Sequence, residues 1–130
     1  MRKLKILLAD DENEIATIVG ALLGRAGHTI DVVNDGTTAI LKLKESPGRY
    51  DLLITDGNMP EVSGIELIGQ LPQLDFHGKV VLLSGYLTED LEETYASLPI
   101  DRIIQKPFPL ADLTRAVKEI SEKIESEQPG

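Results

Sequence analysis

Polar side chains that can bind a metal ion or a phosphoryl group follow short apolar runs at four places in this sequence. They are Asp10 and Asp11 after the first run, Asp56 after a central run, Ser84 after the next and Lys106 after the last. Carboxylates held close together repel and raise one another's pKa, and proteins usually relieve this with a hard divalent cation such as Mg²⁺. A carboxylate beside such a cation can attack phosphorus and hold the group as an acyl phosphate. These residue types therefore indicate phosphoryl acceptance by Asp56, with Ser84 and Lys106 on the phosphate.

The apolar run before Asp56 determines where that carboxylate lies. Residues 52–54 are apolar and bounded by polar and turn residues, which predicts a short strand buried on both faces. Asp56 then stands at the carboxyl end of a strand. In a parallel sheet all carboxyl ends share one edge, where open α/β sheets bind their ligands. Taken alone, the pair Asp56-Gly57 also fits a tight turn between strands.

The other polar residues have structural interpretations as well. The acids near residue 10 and Asn13 suit a helix cap, Ser84 suits a cap or turn, and Lys106 suits an exposed lysine. Their joint occurrence at successive strand ends favours a single site.

Strand and helix patterns alternate along the chain. Strands are predicted at residues 3–9, 29–33, 52–54, 79–83 and 102–104. Helical spacing places one apolar stripe toward a core in the first helix (Ile15, Ile18, Val19, Leu22, Leu23) and in the last (Leu110, Leu113, Val117, Ile120, Ile124). This alternation predicts an α/β fold with a doubly wound parallel sheet and helices on both faces.

Length and composition narrow the function classes. With 130 residues, 42% of them hydrophobic, the chain suits one domain, which we predict over residues 1–125 with a flexible tail at 126–130. A net charge of −9 disfavours direct contact with nucleic acid or an anionic membrane. The absence of cysteine and of a membrane-length apolar run suits a cytoplasmic location. His28 and His77 have no partner at ligand spacing and are expected at the surface or in turns.

Taken together, the motifs resemble those of the receiver domain of a two-component response regulator of bacterial type. The matching signatures are Asp10-Asp11, the stretch Asp56-Gly57-Asn58-Met59-Pro60 followed by Gly64, Ser84-Gly85, and Lys106-Pro107-Phe108, within residues 3–124. The resemblance implies a flavodoxin-like, five-stranded sheet of order 2-1-3-4-5.

The resemblance also implies roles for the site residues. Asp56 would receive a phosphoryl group from a sensor histidine kinase or a histidine phosphotransfer protein. Mg²⁺, for which Mn²⁺ could substitute, would be held by Asp11 and Asp56 directly, by Asp10 mostly through water and by the backbone carbonyl of Asn58. Such a protein catalyses only its own phosphorylation and dephosphorylation and is not otherwise an enzyme.

Further implications concern the phosphate and the switch. Lys106 would bind the phosphate and precede a cis Pro107, and the Ser84 hydroxyl would bind a phosphate oxygen and draw its loop inward. The phosphoryl group would add roughly −1.5 to −2 charges and change a surface that binds a downstream effector.

Two positions depart from the family pattern. Ile103 stands where an aromatic residue usually takes part in the switch, and Gly57 stands where a hydrophobic residue commonly follows the acceptor. Tyr86, two residues after Ser84, is a further candidate switch residue, with a packed loop aromatic as the alternative.

Three alternative functions fit parts of this pattern. A magnesium phosphatase with an aspartyl nucleophile would need a second Asp where Asn58 stands, and a flavin or nucleotide binder would need a Gly-rich phosphate loop. A receiver-like domain that binds partners without phosphorylation is a third alternative. We expect the output to lie outside these residues and the chain to be a monomer, with weak dimerisation through the last helices as the alternative.

Overall fold

Five strands and five helices alternate in the computed structural model, which describes residues 2–46, 48–85 and 88–127. The strands are β1 (Lys5–Ala9), β2 (Thr29–Val33), β3 (Leu52–Asp56), β4 (Lys79–Ser84) and β5 (Arg102–Gln105). The helices are α1 (Asn13–Arg25), α2 (Gly36–Glu45), α3 (Gly64–Gln70), α4 (Glu89–Ala96) and α5 (Leu110–Glu127). Helix α5 therefore continues two residues into the predicted tail, and residues 128–130 lie outside the described part.

The strands form one parallel sheet of order β2-β1-β3-β4-β5. This confirms the predicted fold class and strand order. β3 lies in the middle, and all five of its residues are buried, as expected for a strand covered on both faces.

Two apolar cores lie on opposite faces of the sheet. Because successive side chains of a strand point to opposite faces, Ile6 and Leu8 pack with α1 and α5, whereas Leu7 and Ala9 pack with α2, α3 and α4. Both cores stop at the carboxyl ends of the strands, where polar side chains take over.

The predicted apolar stripes are wrong at two positions. Ile18 of α1 is 50% exposed and Leu110 of α5 is 44% exposed. The buried face of α1 is formed by Ala16, Val19 and Leu23, and residue 18 lies about 100° around the helix from residue 19, which turns it away from the sheet.

Local signals define the helix ends. The side chains of Asp35, Ser63 and Thr88 accept hydrogen bonds from backbone N–H groups in the first turns of α2, α3 and α4. The bond from the Thr38 N–H lowers the pKa of Asp35. Gly27 follows α1 with φ of 99°, a conformation that favours glycine.

Two aspartates hold the amino ends of the strands in register. The Oδ2 atom of Asp51, just before β3, accepts a hydrogen bond from the N–H of Lys5 at 2.9 Å. The Oδ2 atom of Asp101, just before β5, accepts one from the N–H of Val80 at 2.8 Å. Each carboxylate therefore satisfies a backbone donor at the start of the neighbouring strand.

The prediction for His28 is wrong. Its side chain is buried, and its Nδ1 atom accepts a hydrogen bond from the N–H of Leu4 at 2.9 Å. Burial lowers the pKa of His28 because the charged form loses hydration. His77 lies at the surface beside Asp75, as expected.

The neutral His28 ring gives a pH-dependent contribution to stability. Because its folded pKa is lowered, the contribution is complete above the unfolded value of about 6.5 and is lost as pH falls from there through the folded value. We expect His28→Asn, whose amide oxygen can still accept from Leu4, to reduce the loss of stability that the wild type shows as pH falls below about 6.5. Urea unfolding at each pH measures it. His77→Asn is the control, and an equal effect of both substitutions would contradict the assignment.

Candidate functional site

The carboxyl ends of four strands bring the predicted residues to one edge of the sheet. Asp10 directly follows β1, Asp56 ends β3, Ser84 ends β4 and Lys106 directly follows β5. Asp10, Asp56 and Ser84 are buried. Residues nearly one hundred positions apart thus meet because the strands are parallel, as the sequence predicts.

Four carboxylates form the acidic part of the site. One oxygen from each of Asp10, Asp11, Glu12 and Asp56 lies within 4.8 Å of the others. The donor set consists of hard oxygen ligands, which fits Mg²⁺ or Mn²⁺ and does not fit a metal that prefers sulfur. This cluster could therefore bind a metal ion. Glu12 is the third of three consecutive acids, but it was not among the residues predicted for the site.

Lys106 supplies the positive charge opposite these acids. Its Nζ atom lies 3.2 Å from Asp10 Oδ2, 3.1 Å from Glu12 Oε1 and 3.2 Å from Asp56 Oδ2. Burial alone lowers the pKa of Lys106, but its hydrogen bond to Glu12 and the charges of Asp10 and Asp56 outweigh that effect and raise it. The ammonium group is therefore firmly charged and bridges three carboxylates.

The surroundings of Asp11, in contrast, favour its neutral form. Burial, a hydrogen bond with Asp56 and the charge of Asp56 raise the pKa of Asp11 above its usual value. A nearby like charge and the loss of hydration both favour the protonated form. A divalent cation would remove this penalty, because it would favour both carboxylates in their charged forms.

The cap interpretation of the first acids is not what the structure shows. Glu12 is the N-cap residue of α1, and its side chain makes no capping hydrogen bond. Asp10 Oδ1 accepts a hydrogen bond from the N–H of Glu12 at 2.8 Å, which orients its other oxygen toward Lys106. Asn13 Oδ1 accepts instead from the side chain of Asn34.

The backbone around Asp56 is closely packed. Asp56 Oδ1 accepts a hydrogen bond from the N–H of Asn58 at 3.2 Å. Gly64, the first residue of α3, donates its N–H to Gly57 O at 3.1 Å. A Cβ atom on Gly64 would lie 2.0 Å from Asp56 O. Glycine at position 64 therefore lets α3 approach the end of β3 and fixes the loop between them.

The remaining predicted residues lie around this centre. The carbonyl of Ser84 accepts a hydrogen bond from the N–H of Lys106 at 2.7 Å, which joins the last two strand ends. The Lys106-Pro107 peptide bond is cis, as expected. Ile103 is half-buried on β5 and packs against the core on the α2, α3 and α4 side. Tyr86 lies outside the described residues.

The Lys106 bridge leads to a stability prediction. Lys106→Met leaves Asp10 buried without its ammonium partner, and we expect a loss of about 2 kcal/mol in the free energy of unfolding without metal, less than for a fully buried pair because Glu12 reaches solvent. Mg²⁺ should restore more stability to this variant than to the wild type, since it replaces the missing charge. Thermal unfolding with and without Mg²⁺ measures both. Lys118→Met, on the exposed face of α5, is the control; equal Mg²⁺ effects in all three proteins would contradict the prediction.

A family comparison agrees with this geometry. The model described as "Response regulator receiver domain" matches residues 6–118. The response regulator receiver protein CpdR of Brucella abortus is 30% identical over 116 residues, which cover 89% of this chain and 95% of CpdR. The alkaline phosphatase synthesis transcriptional regulatory protein PhoP of Bacillus subtilis is 31% identical, with 96% of this chain matched to 51% of PhoP. The sensor kinase CckA of Brucella abortus is 31% identical over 12% of its length.

Solved structures show the same fold. The receiver domain of Francisella response regulator 1452 has a TM-score of 0.84 and 26% identity, with 94% of this chain and 99% of that one covered. A CheY-like receiver domain protein from Methanospirillum hungatei has a TM-score of 0.89 at 22% identity over 98% of this chain. Among the described residues, no helix has the length and apolar character needed to cross a membrane.

Proposed function

The chain belongs to the response regulator receiver domain family of two-component signalling, and on that premise we propose that Asp56 is its phosphoacceptor. The observation that carries the proposal is the position of Asp56, which contacts Lys106 within a cluster of four carboxylates at the carboxyl edge of the sheet. The family consists of phosphoacceptor signalling domains rather than enzymes that turn over external substrates. Catalysis by this chain is then limited to its own phosphorylation and dephosphorylation.

The proposed step is a displacement at phosphorus. An Asp56 carboxylate oxygen forms the new bond to phosphorus while the bond from phosphorus to the donor's imidazole nitrogen breaks. The electron pair of the broken bond stays on that nitrogen. Proton exchange with solvent then leaves the donor's imidazole ring neutral. Lys106 exchanges its contacts with the acids for the new phosphate oxygens, and the Ser84 hydroxyl binds one of them.

Asp10, Asp11, Asp56 and the backbone carbonyl of Asn58 would hold the metal ion, with Glu12 close by. Mg²⁺, or Mn²⁺ in its place, would neutralise the charge that develops on the transferring group. Asp11 and Glu12 are exposed, so this side of the site is open to solvent.

The direct test is the intact mass after incubation with a small phosphodonor. We expect a gain of one phosphoryl group with Mg²⁺ and none after chelation, and the gained group should be labile to hydroxylamine, as an acyl phosphate is. A Mg²⁺-independent gain, or a gain that resists hydroxylamine, would contradict the proposal. Continuous release of phosphate from unrelated phosphate esters would indicate the aspartyl phosphatase alternative.

The physiological donor is proposed to be a sensor histidine kinase or a histidine phosphotransfer protein. An apolar groove next to the site supports a protein donor: its lining includes Ile15, Ile18, Lys106, Phe108 and Leu110. A donor histidine must come within bonding distance of Asp56, so the donor's surface has to cover the rim beside Lys106. The exposed Ile18 is suited to that contact.

A charge placed on this rim should affect a protein donor and spare a small one. We expect Ile18→Lys to slow transfer from the cognate phosphohistidine protein about tenfold or more, because an apolar contact at the interface is lost. Labelling by a small phosphodonor should stay unchanged. Leu41→Lys, which replaces an equally exposed residue on α2, is the control. Slowing by both substitutions, or by neither, would contradict this docking surface.

We also propose a cytoplasmic location, a monomeric state, and an effector that binds the chain after phosphorylation. The relatives include a receiver protein of nearly the same length and proteins in which the match covers about half or less. The output is therefore proposed to depend on a partner or on a segment other than residues 6–118.

A further inference from the structure

Tyr95 is the single buried residue of helix α4, within the described range 89–96. Its side chain is 5% exposed and packs in the core on the α2, α3 and α4 face of the sheet. Leu91, on the same helix, is only partly buried in that core. The packing of α4 against the sheet therefore depends mainly on one aromatic ring.

The tip of that ring lies beside the residue that follows the phosphoacceptor. The Tyr95 hydroxyl is 3.9 Å from the point that a Cβ atom on Gly57 would occupy. Leu82 Cδ1 and Leu83 O each lie 3.7 Å from the same point. Because residue 57 is a glycine, there is open space on this side of its backbone. The Tyr95 side chain extends from α4 to the edge of that space.

The Gly57 backbone is firmly connected to the site. It directly follows Asp56, its N–H donates to Leu83 O at 2.9 Å, and its carbonyl accepts from the N–H of Gly64 at 3.1 Å. A displacement of Asp56 therefore acts directly on Gly57 and, through these two hydrogen bonds, on the end of β4 and the start of α3. Because this core is closely packed, a movement of Gly57 changes the space in front of the Tyr95 hydroxyl.

We propose that Tyr95 is a positioning residue that couples the state of Asp56 to the placement of α4. The inference rests on the proposed function, since phosphorylation supplies the charge and the new contacts that move the backbone after Asp56. Ile103 on β5 has an aliphatic side chain and is only half-buried, whereas Tyr95 brings an aromatic ring from α4 to the space beside Gly57. The exposed face of α4 carries Glu89, Asp90, Glu92 and Glu93, so its placement presents an acidic surface.

Fluorine NMR on protein labelled with 3-fluorotyrosine tests this coupling. The chain has three tyrosines, which single Tyr→Phe substitutions assign. With Mg²⁺ and a small phosphodonor, we expect the Tyr95 resonance to shift, and Asp56→Asn to abolish the shift. Tyr50 is the internal control, because it is equally buried but lies before the opposite end of β3. An unmoved Tyr95 resonance in protein whose mass shows full phosphorylation would overturn the inference and leave the proposed function standing.

Two substitutions test this proximity. Tyr95→Phe removes the hydroxyl, and Gly57→Ala adds a methyl group at ordinary contact distance, 3.9 Å from the position of that hydroxyl oxygen. We expect Tyr95→Phe to reduce the phosphorylation-induced change in hydrogen exchange of the α4 amides at least about twofold, and the double variant to recover it. A Tyr95→Phe response equal to that of the wild type, or no recovery in the double variant, would overturn the inference. Absence of any mass gain in the wild type would remove both the inference and the proposed function.

Discussion

Asp56→Asn is expected to abolish Mg²⁺-dependent phosphorylation to the detection limit. The amide has the shape of the carboxylate but offers no charged oxygen to attack phosphorus, and it removes one ligand from the acidic cluster. Intact mass after incubation with a small phosphodonor measures the result. Labelling that survives in this variant would contradict the assignment of Asp56 as acceptor.

A matched control lies at the other end of the same strand. Asp51 directly precedes β3 and accepts a hydrogen bond from the Lys5 N–H, far from the acidic cluster. Asp51→Asn makes the same chemical change there, and its amide oxygen can still accept that bond. We expect this variant to be labelled like the wild type, so that loss in Asp56→Asn alone reports the acceptor.

Gly64→Ala is expected to have the largest effect on stability. The added Cβ would lie 2.0 Å from Asp56 O and 2.9 Å from Asp56 C, distances that no relaxed structure allows. Helix α3 would have to move from the end of β3, and the bond from the Gly64 N–H to Gly57 O would be lost or lengthened. We expect a loss of about 3 kcal/mol or more in the free energy of unfolding.

Gly69→Ala in the same helix is the control for this prediction. A Cβ at position 69 would meet nothing within 4 Å. Alanine is the better helix former, so we expect a gain of about 0.5–1 kcal/mol. Urea unfolding measures both variants. Equal effects would mean that close approach at Gly64 does not limit the packing of α3 against the site.

The sequence predicts this fold well because its signals are local and consistent. The burial of residues 52–54 and the turn after Asp56 require β3 to end where the carboxylate stands. Asp35 and Thr88 cap helices as their residue types favour, and Gly27 follows α1. The parallel sheet then places the strand ends at one edge without any further information.

The errors arise where tertiary contacts decide. Helical spacing gives Ile18 and Val19 the same status, and only the position of α1 on the sheet turns Ile18 to solvent. His28 is buried because the Leu4 N–H needs an acceptor, which no pattern around residue 28 reveals. Glu12 joins the site through Lys106, about ninety positions away in sequence. The Tyr95 hydroxyl likewise lies near Gly57 because of the position of α4 on the sheet, which the sequence pattern does not reveal.

The strands are held together differently at the amino margin of the sheet, where two aspartates bond to backbone N–H groups, and at its carboxyl margin. Asp51 and Asp101 fasten neighbouring strand starts, and the backbone bond from the Lys79 N–H to Asp51 O adds to this fastening. The opposite margin carries repelling carboxylates restrained by one lysine. We therefore expect a change of charge at the second margin to displace the loops there, while the hydrogen bonds at the first margin preserve the register of the strands.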